Sequence, residues 1–285
     1  MKVFNQIAAM TLVALSMVGP AAAQDSAPEK ALKALNDFFK FDVPYVPTPP
    51  EVVEAMLELA EAGPEDIVYD LGSGDGRIVI AAVHDFGVKK GVGMDLDKDL
   101  IAQARANAKR MGVEDRAEFH ISDIFATDFS EATILTLYLL EKINVQLRPR
   151  ILDELRPGTR VVSHQFNMRE WIPDVAINER GRRIYMWIVP AKMAGTWTWT
   201  IDDKNYSLEL TQKFQEVFGT LKGPEGTAEL NEIRIRGTSL DFETDLLGKG
   251  AAIPIAFKGT NNGDETDATV TVNGQTHTLT ARRTP

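Results

Sequence analysis

The stretch from Ile67 to Ile78 constrains the fold of this chain more than any other. It reads IVYDLGSGDGRI: a short apolar run, an acid, three glycines at alternate positions, and the start of a second apolar run. This order predicts a buried strand, a tight turn and a helix, the opening of a nucleotide-binding βαβ unit. Glycines let the backbone approach a ligand closely, and the helix points its positive end at the turn.

The spacing of the glycines separates two classes of ligand. Dinucleotide-binding turns follow G-x-G-x-x-G, which would require glycine at position 77, where this chain has arginine. The chain instead follows D-x-G-x-G-x-G, formed by Asp70, Gly72, Gly74 and Gly76. This pattern alone leaves open a plain βα turn that holds no ligand.

Further acids and helix signals follow the turn in order. Asp95 ends a predicted second strand, near the position where a carboxylate accepts hydrogen bonds from both ribose hydroxyls. Asp97 is a predicted cap for a helix over residues 98–111, which Gly112 should end. Asp123 ends a predicted third strand, and an apolar fourth strand is predicted over residues 132–140.

Composition excludes several classes of site and partner. The net charge is −10 and no basic, aromatic-interleaved stripe occurs, so we expect no nucleic-acid partner. The chain has no cysteine, and its four histidines lack metal-ligand spacing. Asp95, Asp97 and Asp99 alternate as in a calcium loop, but Leu100 and Ala106 stand where that loop needs glycine and glutamate. We therefore predict no metal site.

The N-terminus has the features of an export signal. A basic start precedes an apolar run, a Gly-Pro break and Ala21-Ala22-Ala23, which place small residues before a predicted cut at Gln24. We expect a periplasmic or secreted protein of a Gram-negative-like cell, with a membrane anchor formed by an uncleaved N-terminus as the alternative. Export conflicts with cofactor supply if the ligand is made in the cytoplasm.

Two segments precede the glycine turn. Residues 28–39 have helical apolar spacing and predict a short amphipathic helix that packs on the next domain or, alternatively, lies on a membrane surface. A proline-rich stretch over residues 42–50 is extended, and Thr48 is the predicted cap of a helix with Pro49 at its first position. Tyr45 either anchors this stretch or faces the ligand.

The pattern changes to alternating polar and apolar residues near Gly195. Trp197 and Trp199 share one face, and an Asn273-Gly274 turn marks a hairpin. Seven or eight strands follow, which predicts a small barrel or sandwich. The two tryptophans fit a core or an interdomain contact better than a binding platform.

Four motifs together carry a resemblance to a known family. They are VPYVPTP at 43–49, DLGSGDGR at 70–77, YLL at 138–140 and GTRVVSH at 158–164. With Asp95 and Asp123, residues 42–190 resemble the class I S-adenosylmethionine (SAM)-dependent methyltransferases, and more narrowly the FAM173-like protein lysine methyltransferases. That family methylates lysines of membrane-associated proteins, including mitochondrial carriers and ATP synthase subunits. The leader and the β-rich end depart from it.

The resemblance implies an α/β fold, a Rossmann-like, doubly wound sheet that ends in an antiparallel hairpin, and the alternating pattern predicts the small all-β barrel or sandwich that follows it. Together with the leader and the alternating pattern, it predicts a signal peptide (1–23), an N-terminal helix and lead-in (24–47), a SAM-binding domain (48–193) and a β-rich domain (194–285). The implied activity is transfer of a methyl group from SAM.

The resemblance also assigns roles to individual residues. Asp70 would order the turn and meet the methionine amino group, and Asp123 would receive the adenine amino group with Ile124 on the ring. The remaining cofactor residues are Gly72, Ser73, Gly74, Gly76, Asp95 and Leu96. Tyr45, Tyr138 and His164 would line the methyl-acceptor side, where aromatic faces can hold a cationic centre. His164 is either a general base or a structural histidine.

Three functions remain open from the sequence. The first is methylation of a protein lysine, with a membrane or envelope protein as substrate. The second is methylation of a small molecule, with the β-rich domain as a lid or substrate holder. The third is a non-catalytic binding protein that keeps the fold.

Overall fold

The computed structural model describes residues 45–248 and 250–284. The predicted signal peptide, the amphipathic helix and the start of the proline-rich stretch lie outside the described residues. Tyr45–Pro285 forms one compact unit. Among the described residues, no helix has the length and apolarity needed to cross a membrane.

A seven-stranded sheet with helices packed on it forms the first half of this unit. Its elements, in chain order, are α1 (Pro50–Leu59), β1 (Ile67–Leu71), α2 (Arg77–His84), β2 (Lys90–Asp95), α3 (Lys98–Met111), β3 (Ala117–Ile121), β4 (Ile134–Leu137), α4 (Glu141–Glu154), β5 (Arg160–His164), β6 (Val175–Glu179) and β7 (Arg182–Ile188). The core beneath the sheet is built from the apolar faces of α1, α2 and α3 and from buried strand residues such as Val68 and Ile134.

The strand order is β3-β2-β1-β4-β5-β7-β6. Strands β1 to β5 are parallel, and β7 pairs antiparallel with both β5 and β6. This confirms the doubly wound sheet and its terminal hairpin. The order reverses beside β1, so β1, β2 and β4 deliver their carboxyl ends to one crevice, where open α/β sheets bind ligands.

Local signals set two helix ends as expected. The Asp97 side chain accepts from the amides of Asp99 at 2.8 Å and Leu100 at 3.4 Å at the start of α3. Gly112 ends the same helix with φ of +68°, the left-handed conformation that glycine adopts without strain. The predicted cap and stop of this helix are confirmed.

Two predicted boundaries were wrong. Helix α1 begins at Pro50 with Pro49 as its cap residue, and no side chain caps it. Thr48 is instead buried and turns its hydroxyl to His164. The fourth strand ends at Leu137 rather than at residue 140, because Leu139 folds over the glycine turn and α4 begins directly afterwards.

The second half of the unit is an eight-stranded antiparallel barrel. Its strands are β8 (Gly195–Ile201), β9 (Lys204–Lys213), β10 (Glu216–Gly223), β11 (Gly226–Arg236), β12 (Ser239–Leu246), β13 (Ile253–Asn262), β14 (Glu265–Val272) and β15 (Gln275–Thr284). Each strand pairs with the next, and β15 pairs with β8 to close the barrel. Trp197 and Trp199 are buried in its interior, as predicted. Asn273 and Gly274 both have positive φ, as a two-residue type I′ hairpin turn requires.

The barrel packs against the sheet at the edge opposite the crevice. Gly237, in the turn between β11 and β12, lies against Gly158, which precedes β5, and accepts from the amide of Ala191 at 2.7 Å. Gln215 donates to the Ile172 carbonyl at 2.6 Å, and Arg234 pairs with Asp174 at 3.4 Å, directly before β6. These contacts lie at the amino ends of β5 and β6, whereas the candidate site lies at the carboxyl ends.

Candidate functional site

The glycine turn is fastened to the end of β2 by backbone hydrogen bonds. The amides of Gly72 and Ser73 donate to the Met94 carbonyl at 2.8 and 2.9 Å. The amide of Gly76 donates to the Ser73 carbonyl at 2.9 Å and leads into α2. These bonds set where the turn lies relative to Asp95.

Asp95 completes this connection with its side chain. One carboxylate oxygen accepts from the amide of Gly74 at 2.9 Å, and the other accepts from the amide of Asp97 at 2.9 Å. Each carboxylate oxygen has a second lone pair, so a half-buried Asp95 held in this way can accept two further hydrogen bonds. Two neighbouring hydroxyls of a ribose match that geometry.

The glycines of the turn are required partly by the protein's own packing. Their φ angles are +82° at Gly72, +53° at Gly74 and +81° at Gly76. A Cβ at any of the three would lie less than 3.0 Å from another side chain: Leu139 at Gly72, Tyr45 at Gly74 and Phe119 at Gly76. Four amides of the turn are already hydrogen-bonded within the protein, so close approach matters here more than free N–H donors.

Asp70 lies in β1 beneath the turn with 2% of its surface exposed. Its carboxyl accepts from the Thr136 hydroxyl at 2.7 Å. Burial raises the pKa of Asp70 to about 7, and the negative charges of Asp95 and Asp75 add to the rise, against the hydrogen bond from Thr136. A cation that approached this carboxyl would restore its charge.

An apolar surface adjoins Asp95 at the ends of β2 and β3. Ile121 is the register partner of Asp95, and Leu96 follows it in the chain. Leu96, Ile121 and Phe125 are 51%, 56% and 39% exposed, which is high for apolar side chains near the ends of these strands. Exposed apolar side chains beside a carboxylate suit a nucleoside, which carries a flat base next to a sugar.

The predicted adenine residues lie next to this surface. Asp123 is exposed, and its carboxylate accepts from the amide of Phe125 at 2.9 Å. Ile124 is half-buried beside it. The Ser73 hydroxyl is buried against Gly93 of β2 and has no hydrogen-bond partner among the described residues. The structure therefore brings the predicted cofactor residues to one crevice.

The predicted acceptor residues meet at the ends of β4 and β5. The Tyr138 and His164 rings lie 3.9 Å apart between centroids, and Phe166, which the sequence analysis did not assign, lies 6.3 Å from Tyr138. The His164 ring nitrogen Nδ1 is 3.3 Å from the Thr48 hydroxyl. Burial lowers the pKa of His164 to about 4, with a further contribution from Arg182, so the ring is neutral at neutral pH. This favours a structural histidine over a general base.

Tyr45 belongs to a group of residues that the sequence analysis only partly found. Its ring packs on Gly74 and stays 44% exposed. Burial and the charge of Asp75 raise the pKa of Tyr45. Burial would raise the pKa of Asp75, but hydrogen bonds and charge from Arg77 outweigh it and hold that pKa below its ordinary value. The sequence signalled Arg77 only as a departure from the dinucleotide pattern.

The fold and the residues in the crevice define a class I SAM-dependent methyltransferase domain. The family described as ANTKMT methyltransferase domain matches residues 70–175. A solved structure from Salinibacter ruber, described as an RNA methyltransferase in complex with S-adenosyl-L-homocysteine, is 51% identical with a TM-score of 0.51. It aligns to 52% of this chain and 96% of that one.

A protein-lysine N-methyltransferase of Saccharolobus islandicus is 46% identical over 151 residues, covering 52% of this chain and 94% of the relative. The chain belongs to this family of protein-lysine N-methyltransferases, and its cofactor is SAM. The adenine nucleotide translocase lysine N-methyltransferase of Mus musculus is 33% identical over 150 residues, and the chain spans 65% of that relative's length. These alignments cover about half of this chain, and the family match ends at residue 175, before the barrel begins.

We predict that Asp95→Ala abolishes cofactor binding. The substitution removes the two carboxylate oxygens assigned to the ribose, and affinity for S-adenosylhomocysteine should fall at least roughly a hundredfold by calorimetry. Asp99→Ala, which removes an exposed acid from the first turn of α3, is the matched control and should bind as the wild type does. Unchanged affinity in Asp95→Ala would refute the ribose assignment.

We also predict that cofactor affinity rises with pH. The buried Asp70 carboxyl has a pKa of about 7, so it is mostly neutral at pH 6 and ionised at pH 8. If the ionised form meets the cofactor's amino group, affinity for S-adenosylhomocysteine should be roughly tenfold stronger at pH 8 than at pH 6. Asp70→Asn should bind with no such slope, and an equal slope in both proteins would exclude this role.

Proposed function

We propose that the enzyme methylates a lysine side chain of a membrane or envelope protein outside the cytoplasm. The observation that carries the acceptor assignment is the aromatic pair of Tyr138 and His164 beside the glycine turn. Leu139, the neighbour of Tyr138, packs on Gly72, so the aromatic pair and the turn share one crevice. The mouse relative is named for lysine methylation of the adenine nucleotide translocase, which supports a protein lysine as the acceptor.

The site's own residues fit the needs of a lysine acceptor. When bound, SAM supplies a methyl group on a positively charged sulfur. A lysine amine must be neutral to accept it, and a dry, apolar pocket lowers the pKa of an amine by disfavouring its charged form. His164 has a neutral ring, and Tyr45 and Tyr138 offer aromatic faces to a cationic centre. Alignment of the amine against the methyl group is then the main contribution of the protein.

Charge supports a protein acceptor over RNA. The relative from Salinibacter ruber is described as an RNA methyltransferase, so similarity alone leaves both acceptors in play. The net charge of −10 repels a polyanion and attracts a lysine-bearing segment. The barrel packs at the edge of the sheet opposite the crevice. This position argues against a barrel that acts as a lid or holds a small-molecule substrate over the crevice.

Export is supported by the leader alone. Residues 1–23 have a basic start, a short apolar run and small residues before Gln24. An uncleaved anchor would also place the enzyme at the membrane, beside substrates of the proposed class. We propose the cleaved form.

Methyl transfer into fractionated bacterial extract tests the acceptor. With radiolabelled SAM, we expect the label in protein of the envelope fraction and its loss when lysine amines are blocked beforehand. Asp95→Ala is the inactive control. Label in RNA, in small solutes, or in protein that is unaffected by the lysine block would overturn the proposed acceptor.

Cell fractionation with N-terminal sequencing tests the location. We expect the periplasmic fraction to hold a chain that begins at Gln24. A membrane-bound chain that keeps Met1 would support the anchor instead. A soluble cytoplasmic chain that keeps Met1 would contradict export.

A further inference from the structure

The segment before α1 reaches the crevice without belonging to any helix or strand. Tyr45, Val46 and Pro47 are exposed, and Thr48 is 3% exposed. Thr48 has contacts on two sides. Its carbonyl accepts from Arg77 of α2 at 2.8 Å, and its hydroxyl lies 3.3 Å from His164 at the end of β5. The segment is therefore tied to the glycine turn and to the acceptor side through one residue.

The Arg77 guanidinium is held in a fixed orientation. Its Nε and one terminal nitrogen donate to the two oxygens of Asp75 at 2.9 and 2.7 Å. This two-point contact sets the plane of the guanidinium and leaves the other terminal nitrogen for Thr48. Asp75 is itself held from α3, because its carbonyl accepts from Asn107 at 2.9 Å.

Helix stability does not account for an arginine at this position. Arg77 is the first residue of α2, where the helix dipole is positive and a cation is unfavourable. An acid or a small polar residue would suit the helix better. The cost is offset by the contacts that Arg77 makes with Asp75 and Thr48.

The same contacts place the Tyr45 ring over the turn. The ring fills the space that a Cβ on Gly74 would need, and its hydroxyl interacts with Asp75 and Arg77. The amide of Gly74 is the one that donates to Asp95. An aromatic ring thus covers the turn next to the carboxylate assigned to the ribose.

We propose that Arg77 is a positioning residue that latches the Tyr45–Thr48 segment across the glycine turn and slows release of the cofactor. The proposal rests on the placement of the cofactor at this turn. Arg77 need not touch the cofactor, because it acts through Thr48 and Tyr45. Arg77, which stands where a dinucleotide-binding turn needs glycine, would then hold the segment that closes the site.

The release rate of S-adenosylhomocysteine tests the latch without any methyl acceptor. In Arg77→Gln we expect release roughly tenfold faster and a KM for SAM raised by a similar factor, the loss expected for a charge-assisted hydrogen bond. We expect kcat to change less than KM. Arg77→Lys keeps the charge but not the two-point contact, so its release rate should lie between those of the wild type and Arg77→Gln.

Arg116→Gln is the matched control. Like Arg77, Arg116 donates from its guanidinium to backbone carbonyls, here those of Val83 and Val88, away from the crevice. The Arg116→Gln variant should have the wild-type release rate and the wild-type KM for SAM. Asp75→Asn should reproduce Arg77→Gln, and the double variant should be no worse than either single one, because both break the same contact.

Release at the wild-type rate from folded Arg77→Gln, with an unchanged KM for SAM, would overturn the latch. If Arg77→Gln does not fold, Asp75→Asn decides by the same two measurements. Failure of the proposed function gives a different result. The enzyme would then label RNA or small solutes, while the release rates still tested the latch.

Discussion

The candidate site depends on the attachment of the glycine turn to the end of β2. Two amides of the turn donate to the Met94 carbonyl and a third donates to the Asp95 carboxylate. Buried backbone N–H groups need such partners, and the sharp turn leaves no partners of its own for them. The same bonds orient Asp95 and set the start of α2. The same hydrogen bonds therefore determine both the shape of the glycine turn and the orientation of Asp95.

Features whose interacting groups are close in sequence could be predicted. The cap of α3 involves only Asp97 and the amides of Asp99 and Leu100, and its end needs only the freedom of Gly112. The Asn273-Gly274 turn and the inward tryptophans of β8 follow from backbone conformation and alternation. Asp70, Asp95 and Asp123 could be predicted to lie near one edge of the sheet because parallel strands end on one edge.

Features set by contacts with residues far away in the sequence could not be predicted. Thr48 has the residue type and position of a helix cap, yet its hydroxyl lies against His164, which is far away in the chain. The apolar run through Leu140 reads as a strand, but Leu139 is needed over Gly72 and the strand stops before it. Arg77 differs from a dinucleotide pattern in the sequence, and only the fold reveals Asp75 and Thr48 around it. Periodicity describes one element at a time and carries no information about such contacts.

The position of the barrel separates two tasks within the chain. Its contacts through Gly237, Gln215 and Arg234 lie at the amino edge of the sheet, a full strand length from the crevice. Tyr45 covers the glycine turn at the carboxyl edge of the sheet, opposite the barrel. The Saccharolobus islandicus relative is matched over 94% of its length by about half of this chain, so little of that relative lies outside the alignment. The segment before α1 is therefore the part of the chain placed to close the cofactor site. The barrel is placed to make contacts away from that site.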